Sequence, residues 1–509
     1  MLMRSFAHPV ATIRACEQVL LDAQPEPDHL MRQAAHAVAV AADTLLDDEN
    51  GARICLLVGA GGNGGDALYA GAELAASGHD VHAILLGRDG RVHERALAAF
   101  EEAEGVVLDE LTPIPMASII IDGILGIGGN GGLSPEVGAW LRHAREQDTP
   151  ILAVDVPSGV NADTGAAAEH HVTADVTVTF GGLRLAHAVS NACGEVLVAD
   201  IANGVDSLAA ALASVVLQRR SSPVLAFRAL APEREWPSPL LTLDTITTLA
   251  PLEPAAEDDK YSGGVVGVCA GSETYPGAGY LSTIGAVRAT SSMVRYVGPL
   301  GRDVVRAVPE VVISGALADT GRVQAWVVGP GRGADEAELA ELLKRPEPLL
   351  IDADALTLLA QSPELRDALR SRQGDTLLTP HAGEFRRIAD AVGDIPVADP
   401  LAAVRALAED LGCGVLLKGR RTILCIDARL TTVDAGSSWA ATPGSGDVLA
   451  GMLGAWIARF GMAAVPEAVA IHAVAAWLSA QTPDGPAPTS ASRIAEAIPQ
   501  ATARLTGRR

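Results

Sequence analysis

Aromatic and basic residues are both scarce in this chain of 509 residues. Phe, Trp and Tyr make up only 3% of it, so the sequence offers few stacking platforms for unpaired bases. Lys and Arg number 38 against 62 Asp and Glu, which gives a formal net charge of −24. Because nucleic acids and anionic membranes attract basic surfaces, this balance predicts that neither is a partner.

Cysteine is also rare, and the six cysteines form no Cys-x-x-Cys pair. Cys55, Cys269 and Cys425 lie in apolar runs typical of strands, which predicts small buried side chains in a reducing compartment. The sequence shows no basic leader followed by an apolar core, and no run of about 18 uncharged apolar residues. These absences predict a soluble, cytoplasmic protein.

Alternating strand and helix patterns occur in two series along the chain. Single hydrophobic cores rarely exceed about 250–300 residues, so this length predicts two domains. We place a first domain at 1–220, a proline-rich linker at 221–240 and a second domain at 241–509. The alternation indicates mainly parallel sheets, hence an α/β fold for both domains. Strands are predicted at 54–58, 81–86, 118–121, 151–154, 176–180, 195–199, 264–269, 325–328, 349–351, 376–378 and 415–417. Helical patterns cover 10–46, 67–76, 448–460 and 467–479.

A glycine-rich loop, 59–66 (GAGGNGGD), follows the first of these predicted strands and precedes a helical stretch. Glycines let the backbone approach a phosphate at a helix start. Polar side chains also follow two later strands, and ligands of parallel sheets bind beyond the carboxyl ends of the strands. The candidates at this edge are Asn63, Asp66, Asp122, Asp155 and Ser158. Turn formation and helix capping remain the alternative for any single one of them.

These segments, with 174–181 (ADVTVTFG), resemble the NAD(P)H-hydrate epimerase family, which has a Rossmann-like three-layer fold. Members interconvert the R and S forms of NADH or NADPH hydrated at C6 of the nicotinamide ring, and they use a potassium ion. The resemblance implies that Asp155 is the catalytic acid–base residue. It implies K⁺ ligands at Asn63, Asp122 and Ser158, whose oxygens suit a hard cation. The implied substrate-binding residues are Gly62, Asn63, Gly64, Gly65, Asp66, Gly126, Ile127, Gly128, Gly129, Asn130, Gly131, Gly132 and Asp155.

A second glycine loop of different design, 442–447 (TPGSGD), lies before another helical pattern. The amides of Ser445, Gly446 and Asp447 at a helix start can point at one oxyanion. The carboxylate of Asp447 can accept a proton from an attacking hydroxyl, a combination that suits phosphoryl transfer. A capped helix with an uninvolved aspartate is the plainer alternative. No Gly-x4-Gly-Lys-Ser/Thr motif occurs, so a P-loop enzyme is not indicated.

This loop, with 350–356 (LIDADAL), 378–385 (LTPHAGEF) and 416–419 (LLKG), resembles the ADP-dependent NAD(P)H-hydrate dehydratase family, which has a ribokinase-like three-layer fold. Members phosphorylate the C6 hydroxyl of the S-hydrate with ADP, and phosphate release then restores NAD(P)H, with AMP as the other product. The resemblance implies ADP as co-substrate, Mg²⁺ as cofactor and Asp447 as the catalytic base. It implies hydrate contacts from Ala278, Gly331, His381 and Asp447, and ADP contacts from Lys418, Gly419, Arg420, Arg421, Thr422 and Gly446. A capping role for His381 stays open, and only one of Asp352 and Asp354 can face the site.

Together the two resemblances predict one chain with two repair activities, which acts on the hydrates of NADH and NADPH with ADP and forms a homo-oligomer. The alternative is a ribokinase-like vitamin or sugar kinase with a non-catalytic N-terminal ligand-binding module, because the same turn would serve it. Gly62, Ile127 and Arg184 depart from the epimerase pattern and favour a slower or absent epimerase activity. The preference between the NADH and NADPH hydrates, and any passage of intermediates between sites, stay open.

Overall fold

The computed structural model describes residues 5–47, 49, 51–87, 90–108, 117–129, 131–218, 223–247, 252–291 and 293–506. The chain divides into two compact units by its internal contacts. The first comprises Met1–Ala226 and Pro232–Asp244, and the second comprises Phe227–Ala231 and Thr245–Arg509.

Among the described residues, eleven strands and seven helices lie in or begin in the first unit. The strands are β1 (Phe6–His8), β2 (Arg53–Val58), β3 (Asp80–Leu85), β4 (Val106–Leu108), β5 (Ile119–Gly123), β6 (Ile151–Val154), β7 (Val176–Phe180), β8 (Leu183–Arg184), β9 (Glu195–Ala199), β10 (Val224–Arg228) and β11 (Leu241–Thr242). The helices are α1 (Val10–Asp22), α2 (His29–Leu45), α3 (Gly62–Ala76), α4 (Glu94–Glu102), α5 (Pro135–Glu146), α6 (Leu185–Val189) and α7 (Leu208–Leu217).

The central sheet of the first unit has eight strands in the order β11-β9-β7-β6-β5-β2-β3-β4. All neighbours are parallel except β11, which is antiparallel to β9. Residues of β2 alternate between two hydrophobic clusters, Leu56 on one face and Cys55 on the other, so helices cover both faces. The strand order reverses between β2 and β5, where doubly wound sheets open a crevice for a ligand.

The described part of the second unit adds eleven strands and ten helices. The strands are β12 (Val265–Cys269), β13 (Met293–Val297), β14 (Val312–Ser314), β15 (Ala325–Val328), β16 (Leu349–Ile351), β17 (Thr376–Leu378), β18 (Gly414–Leu417), β19 (Arg421–Ile426), β20 (Arg429–Asp434), β21 (Gln481–Thr482) and β22 (Gly485–Pro486). The helices are α8 (Pro276–Ala289), α9 (Gly301–Ala307), α10 (Glu336–Leu343), α11 (Ala353–Gln361), α12 (Pro363–Arg370), α13 (Ala382–Val392), α14 (Pro400–Leu411), α15 (Ser445–Phe460), α16 (Val465–Ala480) and α17 (Ala491–Leu505).

In this unit the strands follow the order β14-β13-β12-β15-β16-β17-β18-β19-β20. Pairing is parallel from β14 to β18, and β19 and β20 then continue the sheet in antiparallel fashion. Helices α15 and α16 share one hydrophobic cluster with Val266 and Val268 of β12. Helices α10–α14 contribute no residue to that cluster, and α14 packs on β18 and β19. Helices therefore cover both faces of this sheet as well.

The predicted α/β fold with mainly parallel sheets is confirmed, and each predicted strand lies within two residues of an observed one. The helical pattern at 10–46 forms two helices, α1 and α2, because Pro25 and Pro27 fall between them. All six cysteines are free thiols, and Cys55, Cys269 and Cys425 are buried as expected.

The segment predicted as a linker contains ordered strands. Val224–Arg228 forms β10, whose Leu225 pairs with Phe6 of β1, and β11 follows the linker directly and pairs with β9. A proline-rich composition does not prevent this, because proline is tolerated at sheet edges and at strand ends. The contact-based division also assigns Pro232–Asp244 to the first unit, so the boundaries of the functional domains stay a prediction.

One helical stretch, Met462–Ala480, has the length and mean hydropathy of a membrane span. Its most apolar window is 61% buried inside the protein, and α16, which forms most of it, packs against α15 and α17. A helix buried in a protein core can be as apolar as a membrane-spanning helix, and the packing of α16 is that of a core helix.

Candidate functional site

The glycine loop of the first unit connects β2 to α3, and the helix begins at Gly62. A Cβ atom on Gly59 would lie 1.8 Å from the Ile124 carbonyl oxygen, and one on Gly64 would lie 2.0 Å from the Gly59 carbonyl oxygen. These two glycines therefore permit close backbone packing. A Cβ on Gly61 or Gly62 would meet no atom within 4 Å, so that stretch of the loop leaves open space for a ligand.

A cleft of about 530 Å³ lies beyond the carboxyl ends of β2, β5 and β6. Eight of the residues predicted to bind the substrate line it: Gly62, Asn63, Asp66, Gly126, Ile127, Gly128, Gly129 and Asp155. Gly64 and Gly65 are buried at the start of α3 instead, and Gly131 and Gly132 are not among the lining residues. Asn130 lies outside the described residues. The cleft also contains residues that the motifs did not single out, Glu17 and Met31 among them.

The three predicted cation ligands are connected through Ser158 and the Leu125 carbonyl. Asp122 is fully buried and accepts hydrogen bonds from the Ser158 hydroxyl at 2.6 Å and the Ser158 amide at 2.8 Å. The Leu125 carbonyl oxygen lies 3.3 Å from Ser158 Oγ and 3.4 Å from Asn63 Nδ2. Asn63 also donates to the Val154 carbonyl at 2.6 Å. The oxygen atoms of Asp122, Ser158 and Leu125 therefore lie close together and are of the kind that an alkali cation prefers, whereas Asn63 presents its amide nitrogen to the neighbouring carbonyls.

Burial raises the pKa of Asp122 to about 6, although the hydrogen bonds from Ser158 and Ile124 oppose that rise. A positive ion beside this carboxyl would favour its ionised form. Within the part of the chain that the structure describes, no group of three or more His, Cys, Asp or Glu residues could hold a metal.

Asp155 follows β6 with a positive φ of 65°, a conformation that few non-glycine residues adopt. Its Oδ1 accepts a hydrogen bond from Thr179 at 2.9 Å and forms an ion pair with the Arg184 guanidinium at 2.9 Å. Arg184 is itself buried and donates to the carbonyls of Phe180 and Gly182. Arg184, one of the residues that depart from the epimerase pattern, thus places a cation beside the predicted acid–base residue Asp155.

A second buried carboxyl, Asp66, lies in the same cleft on α3 and is 8% exposed. Burial raises its pKa well above the usual range, and the charges of Asp155 and Glu17 raise it further. Burial also raises the pKa of Glu17, which lies on α1. Sequence reasoning missed Glu17 because a single glutamate on an amphipathic helix carries no local signal.

In the second unit, the turn at 442–447 leads into α15, and Gly444 precedes the helix in the left-handed conformation, with φ 83°. Ser445 is buried, and its hydroxyl and carbonyl oxygens each lie 3.1 Å from Nε2 of His472 on α16. Burial lowers the pKa of His472 to about 4, so the imidazole is neutral at physiological pH. His472, which the motifs did not reveal, therefore holds the first residue of α15 in place.

Lys418, Asp352 and Asp447 form the charged centre of this second site. Lys418 Nζ lies 2.7 Å from Oδ1 of the buried Asp352. Burial lowers the pKa of Lys418, but the Asp352 carboxylate outweighs it and the net shift is upward. Burial raises the pKa of Asp447 to about 6, the charge of Asp352 adds to that rise, and the charge of Lys418 opposes it.

Asp352 and Asp354 differ in their contacts. Asp352 pairs with Lys418, whereas Asp354 lies in the first turn of α11 and accepts a hydrogen bond from the Gly333 amide at 2.8 Å. A Cβ on Gly446 would lie 3.5 Å from Lys418 Nζ, so the start of α15 and the lysine are neighbours.

The residues predicted to contact the hydrate fall into two groups. Gly331 and Ala278 are adjacent, since a Cβ on Gly331 would lie 2.6 Å from that of Ala278 and 2.9 Å from that of Tyr275. Tyr275 is exposed beside them, and the motifs did not assign it a role. His381 caps α13: its Nδ1 accepts from the Gly383 amide at 2.9 Å, and the Glu384 carboxylate accepts from the His381 amide. The capping alternative for His381 is therefore observed, and its imidazole is largely exposed.

Five of the six predicted ADP-binding residues, 418–422, lie at the junction of β18 and β19, and the sixth, Gly446, lies in the first turn of α15. Thr422 donates to the Gly419 carbonyl at 3.1 Å, which closes the turn. Arg420 is exposed and donates to the Gly436 carbonyl at 3.1 Å. Arg421 is buried, and its guanidinium lies 3.1 Å from the Asp434 carboxylate. Of the two arginines, Arg420 is therefore the one whose side chain is accessible to a nucleotide.

Two family models match the chain. The model described as NAD(P)H-hydrate dehydratase matches residues 266–500, and the model described as YjeF-related protein N-terminus matches residues 27–186. The matches fall on the second and first units respectively.

Two curated relatives are similar along nearly their whole length. A bifunctional NAD(P)H-hydrate repair enzyme of Corynebacterium glutamicum is 47% identical over 97% of this chain and 98% of its own. The enzyme of the same description from Mycobacterium tuberculosis is 42% identical over 98% of this chain and 99% of its own. Among solved structures, an ADP/ATP-dependent NAD(P)H-hydrate dehydratase from Bacillus subtilis, co-crystallised with ATP and Mg²⁺, aligns with a TM-score of 0.43 and 25% identity, over 50% of this chain and 94% of that one.

Proposed function

Because the chain belongs to the family of bifunctional NAD(P)H-hydrate repair enzymes, we propose that its two α/β units divide the two repair steps between them. The first unit epimerises the R and S hydrates of NADH and NADPH. The second dehydrates the S form with ADP and yields NAD(P)H, AMP and phosphate. The observation that carries this division is the presence of one buried, carboxyl-containing site in each unit, on residues that the two resemblances assign separately.

In the first unit, the substrate occupies the cleft between the start of α3 and the loop at 126–129. The open face at Gly61 and Gly62 admits the phosphates to the amino end of α3, and a helix start of this kind attracts anions. Asp155 exchanges a proton with the hydrated ring, and Arg184 and Thr179 hold its carboxylate in place. Asn63, Asp122 and Ser158, with the Leu125 carbonyl, would hold K⁺. When bound, K⁺ supplies a fixed positive charge.

In the second unit, Asp447 accepts the proton of the C6 hydroxyl as that oxygen attacks the β-phosphorus of ADP. The bond between the β-phosphorus and the bridging oxygen breaks, and AMP leaves. Amides at the start of α15 and the Lys418 ammonium stabilise the transferred phosphoryl oxygens. Mg²⁺, when bound with ADP, would neutralise phosphate charge. The Asp352 carboxylate, which lies beside Lys418, offers oxygen ligands of the kind that Mg²⁺ prefers. The hydrate lies against Ala278, Gly331 and His381.

The decisive experiment is incubation of the purified protein with a mixture of R and S NADH hydrates, ADP, Mg²⁺ and K⁺. We expect complete recovery of the NADH absorbance with stoichiometric release of AMP. Omission of ADP should abolish recovery. Phosphorylation of a vitamin alcohol without NADH recovery would support the kinase alternative instead. Recovery of only the S-hydrate would assign a non-catalytic role to the first unit.

We further propose, as the sequence predicts, that the protein acts in the cytoplasm and that it forms a homo-oligomer. Sedimentation of the purified protein tests the second point, and a monomer at micromolar concentration would contradict it.

A further inference from the structure

We propose that Asp66 is a second catalytic residue of the first unit, which donates a proton to the departing C6 hydroxyl while Asp155 accepts a proton from the water that replaces it. This inference rests on the proposed epimerase function. It assigns to the cleft two carboxyl groups with opposite tasks, one on α3 and one after β6.

The contacts of the two carboxyl groups differ. Asp155 accepts a hydrogen bond from Thr179 and pairs with Arg184, both at 2.9 Å. Asp66 is more than nine-tenths buried and lines the same cleft, yet none of the described residues gives its carboxyl a hydrogen bond or an ion pair. A buried carboxyl without a partner is costly as an anion and stable as an acid.

The groups around Asp66 also favour the protonated form of its carboxyl. Glu17 faces it from α1 and Asp155 from the end of β6, and both add negative charge. Arg184 lines the cleft beside Asp155. Helix α2 contributes only Leu30, Met31 and Ala34 to the cleft, and His93, at the start of α4, lies behind Gly65. One cleft thus holds a buried carboxyl and a second carboxyl that is ion-paired with an arginine, an arrangement typical of acid–base pairs.

The chemistry balances without an oxidant or a further reactant. C6 of the hydrate carries the hydroxyl and is bonded to ring nitrogen N1. Protonation by Asp66 lets the C6–O bond break, the N1 electron pair forms a C6=N1 bond, and water leaves. Water then adds to the opposite face of C6, and Asp155 takes the excess proton. In the return reaction Asp155 donates the proton and Asp66 accepts it. The negative charge in the cleft stabilises the cation that carries the C6=N1 bond.

The test is the replacement Asp66→Asn, which keeps the shape but removes the acid. Loss of a general acid typically costs about 10²–10⁴ in rate. We expect R-hydrate epimerisation to fall by this factor, with ADP-dependent recovery of the S-hydrate unchanged as the control for folding. Asp66→Glu should restore part of the rate. In H₂¹⁸O, the wild type should introduce ¹⁸O at C6 with each epimerisation.

The pH profile separates an acid from a structural residue. Epimerisation by the wild type should decline at alkaline pH as Asp66 loses its proton, and Asp66→Asn should lack that alkaline limb. Glu17→Gln removes a negative neighbour, so the alkaline limb should move to lower pH. The proposal is wrong if the wild type epimerises and Asp66→Asn epimerises at the same rate. It is also wrong if the variant shows only a higher KM and keeps the alkaline limb of its pH profile. If the wild type itself does not epimerise, the proposed epimerase function is wrong.

Discussion

Single charged residues set the pH range in which the second site can work. Asp447 must be a carboxylate to accept a proton, yet burial and the neighbouring Asp352 raise its pKa to about 6. The dehydratase activity should therefore fall as pH drops through about 6, because the protonated acid cannot act as a base.

Asp447→Asn should lower the rate of ADP-dependent S-hydrate recovery by about 10²–10⁴, the usual effect of removing a positioned base. ADP affinity should change little, since the backbone amides at the start of α15 and Lys418 remain. Single-turnover assays and equilibrium binding of ADP measure the two effects separately. Near-normal turnover in this variant would show that Asp447 only caps α15.

Asp352→Asn should move the acidic limb of the dehydratase profile to lower pH. Removing the Asp352 charge removes one cause of the raised pKa of Asp447, so this residue stays ionised in more acidic solution. The variant also leaves Lys418 with a weaker partner, so we expect a lower melting temperature. A profile of kcat against pH for the variant and the wild type measures this shift. An acidic limb at the same pH in both would contradict the effect of the Asp352 charge on Asp447.

At the scale of elements, glycines set how closely helices α8 and α15 approach. A Cβ on Gly451 of α15 would lie 1.8 Å from the Ser282 carbonyl oxygen, and one on Gly285 of α8 would lie 2.4 Å from that of Val448. Backbone therefore packs against backbone, and the start of α15 with Asp447 depends on this contact.

Gly451→Ala should destabilise the second unit by about 1–3 kcal/mol, the usual cost of overpacking. Calorimetry should show a lower melting temperature, and dehydratase activity should fall because the start of α15 is displaced. Gly277→Ala in α8 is the matched control, since its Cβ would meet no atom within 4 Å and alanine favours a helix. Equal melting temperatures for the two variants would refute the close-packing argument.

At the scale of the whole molecule, the two candidate sites are made from separate stretches of the chain. Residues of the first site lie between Glu17 and Ile201, and the predicted residues of the second lie between Ala278 and Asp447. Each activity should consequently respond to changes in its own unit.

Asp155→Ala should leave recovery of the S-hydrate intact but leave the R-hydrate unconverted, apart from spontaneous epimerisation. Replacement of K⁺ by a larger organic cation should slow R-hydrate recovery in the wild type, because such an ion does not fit the proposed site at Asn63, Asp122 and Ser158. Chromatography of the residual hydrates after incubation with ADP measures both. Loss of S-hydrate recovery in Asp155→Ala would show that the activities are not separable.

Much of this architecture is determined by local sequence. The apolar runs and the two glycine loops predicted the strands, the α/β class and the two candidate sites, because strand and turn preferences act over a few residues. The residues that line the first cleft include eight of those assigned from motifs.

Only the tertiary structure decided which side chains meet. Lys418 pairs with Asp352, 66 positions away, because β16, β17 and β18 are adjacent in the sheet and their carboxyl ends share an edge. Glu17 reaches the cleft through the packing of α1, His381 caps α13, and Arg421 pairs with Asp434 across β19 and β20. Strand order and register bring distant residues together, and no local pattern encodes them, which is why these contacts could not be predicted from the sequence.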